Sequence, residues 1–372
     1  MEDNRPFGID LCSGVGGMSL GFEQAGFNIV ASVDIDPIHC SLHQENFPEC
    51  KSINKDISDV SGSEIISKCN LKDKVVDVIF GGPPCGGFSL IGKRIESDPR
   101  NSLIMQFSRI ISEIKPKYFV IENVRGILIG EMRKVVDEFI EEIESFEYQV
   151  AKPIKYLNAY DFGVPQKRER VFLLGSRVGL KSLSYPAPLD SDNNDRPSVW
   201  DAIGDLPNVD DFEELIDSDI YTGELLSTSS RYALILRGEL KDSDDLSLAR
   251  SKEENKLSGC QQTKHYKETI ARFKKTLPGH TESVSRLYRL SKDKASRTLR
   301  AGTGKDRGSY SAPRPIHPVF NRCITVREGA RLHSFPDWFQ FHHTKWHGFR
   351  QIGNAVPPLL ARAVAKKVYE LI

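Results

Sequence analysis

The sequence predicts an α/β fold: a doubly wound, mostly parallel sheet covered by helices, with a smaller domain inserted late in the chain. Three observations carry this expectation. Over roughly the first 175 residues, short β-branched apolar runs alternate with helix-period runs, a pattern that builds parallel sheets. A glycine cluster, SGVGG, follows the first apolar run, where a strand hands over to a helix and backbone N–H groups approach a ligand. From about Tyr185 the chain turns richer in Pro, Ser and Asp, and helical order returns only from Thr325.

The elements follow in order. FGIDL (7–11) is a short strand run, and MSLGFEQAGF (18–27) has helical spacing that meets Gly26 near its end. NIVASVD (28–34) is the next strand, and PIHCSLHQENF (37–47) is a helix opened by Pro37, whose fixed φ suits a first turn. VVDVIF (75–80) is a buried strand, SLIMQFSRIISEI (102–114) an amphipathic helix and YFVIENV (118–124) another strand. MRKVVDEFIEEIESF (132–146) and RVFLLGS (170–176) continue the alternation. Within 186–320 only SVWDAIGDL (198–206) and HYKETIARFKKTL (265–277) keep a helical period. LLARAVAKKVYELI (359–372) closes as a helix able to cover the sheet. The expected division is 1–185 with 340–372 as one domain and 186–339 as the smaller one.

Composition narrows the class. Hydrophobic residues at 39% and charged residues at 27% suit a soluble globular protein. There is no apolar run of membrane-spanning length and MEDNRPFGID carries no secretory pattern, so the expected compartment is the cytoplasm. Seven cysteines, an odd number without a CxxC pair, read as reduced thiols, most of them packing residues. Net charge is zero but unevenly spread: 205–245 holds 12 acidic and 3 basic residues, whereas 264–307 holds 13 Lys/Arg against 4 Asp/Glu. Such asymmetry suits one face meeting a polyanion, with nucleic acid foremost. FHHTKWH (341–347) groups three histidines, but no cysteine or carboxylate within it supports a metal site.

Two stretches suggest chemistry. Gly14, Gly16 and Gly17 follow a strand and precede a helix, but Ser19 stands where a dinucleotide fingerprint needs its third glycine. Asp34 ends the next strand, where doubly wound folds place a carboxylate on a ribose, and Asp56 is placed to meet an adenine amino group. Together these imply adenosine without a pyrophosphate, which favours S-adenosylmethionine over NAD. GGPPCGGFS follows VVDVIF, so Cys85 sits at a strand's carboxyl end, where open sheets bind ligands.

SGVGG, GGPPCGGFS, ENV (122–124), QKRER (166–170), RLHSFPD (331–337) and QIGNAVPP (351–358) occur in that order. The set resembles the ordered motifs of the DNA (cytosine-5)-methyltransferases, in particular bacterial restriction–modification methylases. The resemblance implies a Rossmann-like methyltransferase domain and a target-recognition domain. It implies a covalent mechanism in which Cys85 adds to cytosine C6, Glu122 donates to N3, and Arg168 and Arg170 contact the cytosine oxygen and hold the Cys85–Glu122 site. It places the cofactor against Asp10, Cys12, Gly14, Gly16, Gly17, Asp34, Ile35, Asp56, Ile57, Pro84, Asn354 and Val356. It places DNA, with its target base flipped out, against Gly86, Ser89, Lys93, Arg94, Arg100, Gln166, Lys274, Lys275 and Arg297. Gln166 is also expected to brace the arginine loop. No metal is implied. The expected partners are double-stranded DNA and a separately acting cognate restriction endonuclease, with the methylase a monomer.

Three positions depart from the family pattern: Gly86 where glutamine is usual, Cys12 for phenylalanine and Asp34 for glutamate. Two alternatives accompany the main reading. One is the same chemistry on tRNA, although the CFT tripeptide of that subset is absent. The other is a catalytically silent DNA-binding homologue, which intact Cys85, Glu122, Arg168 and Arg170 argue against.

Overall fold

The computed structural model describes residues 4–72, 74–84, 103–190, 196–250, 255–302 and 314–372. Cys85, Gly86, Ser89, Lys93, Arg94 and Arg100 lie outside them. The first half folds as β1 (Phe7–Leu11), α1 (Gly17–Gln24), β2 (Asn28–Asp34), α2 (Pro37–Asn46), β3 (Lys51–Asn54), α3 (Gly62–Lys68), β4 (Val78–Gly81), α4 (Leu103–Ile114), β5 (Tyr118–Val124) and α5 (Glu131–Ser145). Next come β6 (Tyr148–Val150), β7 (Lys155–Asn158), β8 (Gln166–Lys167) and β9 (Glu169–Arg177).

One eight-stranded sheet runs β3-β2-β1-β4-β5-β9-β6, with β7 also paired to β9. Strands β1 to β5 are mutually parallel, and β9 pairs antiparallel with β5, β6 and β7. The expected mixed α/β fold is what forms. Alternation along β5 shows why: Tyr118 and Val120 join one apolar core, while Phe119 and Ile121 join the other, across the sheet.

Two local differences have physical causes. The apolar run 75–80 becomes a strand only at Val78, because Val75 is exposed and the Asp77 carboxylate accepts the Phe7 N–H at 2.8 Å and Lys117 at 2.7 Å. Strand β3 is a four-residue edge, too short to leave a periodic signal.

The later elements are α6 (Val199–Ile203), β10 (Tyr221–Thr222), α7 (Arg231–Arg237), β11 (Lys256–Leu257), α8 (Lys267–Lys275), β12 (Ser296–Arg297), α9 (Val326–Arg331), α10 (Lys345–Asn354) and α11 (Pro358–Tyr369). Helix α11 lies so close to α1 that a Cβ on Gly21 would meet Ala361 Cβ at 2.4 Å. Part of the acidic stretch is spent on partners inside the molecule. Asp205 and Asp337 hold Arg331, Asp242 pairs with Arg362 at 2.7 Å, and Asp244 pairs with Lys366 at 2.7 Å. Part of the basic stretch is likewise internal. Arg289 is buried and donates to the carbonyls of Phe273 and Val319. No helix among the described residues is long and apolar enough to cross a membrane.

Candidate active site

A cavity of about 450 Å³ opens at the carboxyl ends of β1, β2, β4 and β5. Its floor is the turn after β1, where Cys12, Gly14 and Gly16 have φ of 60°, 54° and 100°. Gly16 is required twice, since a Cβ there would also meet the Phe47 ring at 2.5 Å. The turn delivers the chain to α1, whose first turn has no acidic residue and no side-chain cap. Its N–H groups are therefore an anion-ready end facing the turn.

Behind the turn lies a buried polar chain. Ser32 Oγ is 3.2 Å from His43 Nδ1, His43 Nε2 is 2.9 Å from Ser19 Oγ, and Ser19 donates to Asp10 Oδ2 at 2.6 Å. Burial holds the His43 ring neutral, pushed down to about 3. Burial, outweighing the Ser19 hydrogen bond, pushes the Asp10 carboxyl up to about 8. Asp10 Oδ1 is buried without a hydrogen-bond partner, and Asp10 lines the cavity.

Asp34 stands on the side wall, taking the Gly14 N–H on Oδ2 at 2.8 Å and the Asp36 N–H on Oδ1 at 2.9 Å. Ile35, 66% exposed, offers an apolar face to the cavity. Asp56 and Ile57 lie beyond it, with Asp56 Oδ1 accepting from Ser58 at 2.9 Å. Asn354 and Val356 form the opposite wall and Pro84 its edge. The cavity wall therefore includes every position expected to hold the cofactor except Gly16, which lies within the turn itself.

The reactive end is built on β4 and β5. Gly81 lies against β1 so tightly that a Cβ would stand 1.8 Å from Leu11 O. A Cβ on Gly82 would meet Glu122 Oε2 at 2.9 Å, so glycine at this position lets the chain pass beneath that carboxyl. Asn123 Nδ2 then donates to Pro83 O at 3.1 Å, fixing the segment that leads to Cys85. Glu122 itself is 7% exposed and meets Arg170 Nε at 2.7 Å. Burial outweighs the pull of Arg170 and Arg168, so the Glu122 carboxyl is raised above its ordinary value. That is the direction a proton-sharing carboxyl needs.

The arginine pair divides its work. Arg170 lines the cavity. Arg168 does not: fully buried, it donates to the carbonyls of Leu299, Gly353 and Ala355 at 2.9, 2.7 and 2.9 Å. The expected contact of Arg168 with the base is corrected to an interior tie. Gln166 is corrected in the same way. It is 0% exposed and reaches Leu332 O, His333 Nδ1 and the Leu299 N–H at 3.2, 2.9 and 2.9 Å, so it braces the loop and leaves no group for DNA.

Lys167, which sequence reasoning passed over, is the exposed residue of that strand. The period-2 alternation that pairs Gln166 with Arg168 already sets it opposite them. Strand β8 pairs with β12, bringing Lys167 beside exposed Arg297, whose guanidinium lies 3.8 Å from the Tyr288 ring centre. Lys274 and Lys275 are exposed at the end of α8. Among the described residues no group of three or more His, Cys, Asp or Glu is arranged to hold a metal.

Residues 8–370 match the family model for C-5 cytosine-specific DNA methylases. The chain belongs to that family. This methylase is 48% identical over 368 residues to the type II methyltransferase M.XorII of Xanthomonas oryzae, covering 99% of this chain and 85% of that one. It is 35% identical to M1.HphI of Haemophilus parahaemolyticus, over 98% and 86% of the two chains. Among solved structures, it is similar to one described as a prophage-encoded DNA modification methyltransferase (E. coli), with TM-score 0.81, 33% identity and 98% and 99% coverage. The S. pombe Dnmt2 methyltransferase shares the fold at TM-score 0.59 and 17% identity, over 98% and 99% of the two chains. The methylase is a DNA (cytosine-5)-methyltransferase of the kind found in restriction–modification systems, and its family implies a methyl donor of the S-adenosylmethionine type.

Proposed function

We propose that this methylase transfers a methyl group from S-adenosylmethionine to C5 of a cytosine flipped out of a specific double-stranded DNA sequence, through a transient Cys85–C6 bond. The observation that carries the reading is the Glu122–Arg170 pair, 2.7 Å apart, on the wall of the same cavity as the glycine turn and Asp34.

The donor set fits the cofactor. Unpartnered Asp10 Oδ1 suits a cation, the uncapped start of α1 suits a carboxylate, Asp34 suits a ribose diol and exposed Ile35 suits an adenine face. When bound, S-adenosylmethionine supplies an electrophilic sulfonium methyl. The chain's own residues prepare the acceptor. Cys85 adds as thiolate to C6 while Glu122 gives a proton to N3, which turns C5 into an enamine carbon able to attack. After C5 is methylated, its proton would pass to water, the thiolate would leave to restore the 5,6 double bond, and N3 would return its proton to Glu122. Arg170 orients Glu122, and Arg168 ties the loop to α10.

Residues 186–339 would serve as the recognition domain. Lys167, Arg297, Lys274 and Lys275 would meet phosphates, and Gly86, Ser89, Lys93, Arg94 and Arg100, which come after Cys85 in the sequence, would also contact the DNA. The protein would act as a cytoplasmic monomer, beside a restriction endonuclease working separately on the same sequence.

The test is transfer of labelled methyl from S-adenosylmethionine to unmethylated bacterial DNA, with tRNA as a parallel acceptor, by wild type, Cys85→Ser and Glu122→Gln, followed by bisulfite sequencing of the DNA. Label with wild type only, clustered at one sequence, is expected. Label retained by Cys85→Ser, or found on tRNA and not on DNA, would overturn the reading.

A further inference from the structure

His39 forfeits a local advantage in order to touch Asp34. It occupies the third position of α2, after the cap Asp36, whose carboxylate accepts the Ile38 N–H at 2.9 Å. A glutamate there would reach back to the cap and complement the helix dipole, whereas an imidazole does neither. Instead the ring turns to the cavity. Its Nδ1 donates to Asp34 Oδ1 at 3.4 Å and its Nε2 lies 3.9 Å from Asp36 Oδ2, so it spans the two carboxylates.

The Asp34 main chain and its carboxylate are held by different groups. Its carbonyl accepts from Asn54 Nδ2 and the Lys55 N–H, both at 3.1 Å, and from Cys40 Sγ at 3.3 Å. Its carboxylate takes the backbone N–H groups of Gly14 and Asp36. His39 is the one side chain bonded to that carboxylate among the described residues. It lines the cavity with Asp34. With Asp36 and His39 on Oδ1 and Gly14 alone on Oδ2, the oxygen left with room for a further donor is Oδ2. Burial alone would push the Asp34 carboxyl up, but His39 and the two N–H groups outweigh it and hold the carboxyl below its ordinary value.

We propose that His39 is a positioning residue for the cofactor, locking the Asp34 carboxylate in the rotation that receives the ribose diol. The proposal rests on the S-adenosylmethionine reading above. Freed from the ring, the carboxylate keeps its charge and its two backbone N–H bonds but loses its one side-chain restraint, which loosens its direction, weakens binding of the diol and leaves the methyl-transfer geometry alone.

Isothermal titration with S-adenosylhomocysteine tests this on wild type, His39→Ala, His39→Asn and His39→Leu, with a parallel titration of the 2′,3′-dideoxyribose analogue. Loss of one charge-assisted hydrogen bond predicts affinity about tenfold weaker for His39→Ala and His39→Leu. His39→Asn, whose amide can replace Nδ1, should recover to within about twofold of wild type. KM for S-adenosylmethionine should rise about as much as Kd, with kcat on DNA kept. The dideoxy analogue should bind wild type and His39→Ala alike. Unchanged binding by His39→Ala, an equal loss for the dideoxy analogue, or His39→Leu matching His39→Asn would each overturn the proposal. Failure of wild type to bind S-adenosylhomocysteine at all would instead remove the cofactor reading, and this one with it.

Discussion

Replacing Asp10 by asparagine should make the protein more stable and its cofactor binding weaker. The buried carboxyl is raised from 3.8 to about 8, so the folded state holds a proton that the unfolded chain releases. The contribution of Asp10 to native stability is therefore greatest below about pH 4, where both states are protonated, and it falls as pH rises toward 8. Over that interval the penalty grows to about 5 kcal/mol at 1.36 kcal/mol per pK unit. Asparagine keeps the acceptor for Ser19 and removes the titration. Asp10→Asn should therefore match wild type in urea at pH 4 and exceed it by a few kcal/mol at pH 8. The carboxyl also bears the unpartnered Oδ1. A cationic amine placed against it favours ionisation, lowering such a carboxyl by about 1–3 pK units. Wild type should consequently release about 0.4–0.9 proton per S-adenosylhomocysteine bound at pH 7. Titration calorimetry in buffers of different ionisation enthalpy reads that proton, and Asp10→Asn should release none and bind roughly tenfold or more weakly. Equal proton release by the two proteins, or the same stability difference at pH 4 and pH 8, would refute the reasoning.

Glu122→Gln should lower methyl transfer by about 10²–10⁴ while DNA binding in a filter assay stays within a few-fold. Arg168→Met strands three buried carbonyls and should cost roughly 3–5 kcal/mol in urea unfolding; an unchanged midpoint would deny the tie. Glu328, drawn down to about 2 mainly by Arg322 and His317 against its burial, contributes stability present above its ordinary 4.5 and lost as pH falls through about 2. Arg322→Met should weaken that dependence and destabilise the native state at pH 7. Lys167→Ala and Arg297→Ala should each reduce the slope of log DNA affinity against log salt by about one, equally for specific and random sequence.

Much of the site is readable along the chain because the chemistry is concentrated at strand ends. A β-branched run that stops at glycine or proline marks the carboxyl end of a parallel strand, and Asp34, Gly82 and Glu122 all sit at such ends. The motif QKRER shows the limit. Its alternation sorts its side chains into two faces, but nothing local says which face is interior. That depends on Leu299 and on α10, whose Gly353 and Ala355 carbonyls are 185 and 187 residues from the guanidinium they accept.

Local periodicity and turn chemistry alone determined the alternating α/β order, the parallel half of the sheet and the ordered motifs, because each depends on neighbours a few residues apart. Tertiary structure decided the rest. It paired β9 antiparallel beside β5, turned Gln166 and Arg168 inward and left Lys167 outward. It also closed His39 on Asp34 and desolvated Asp10 and Glu122. The physical reason is that burial belongs to the packed whole: a carboxyl's proton and an arginine's partners depend on which distant segments exclude water from it.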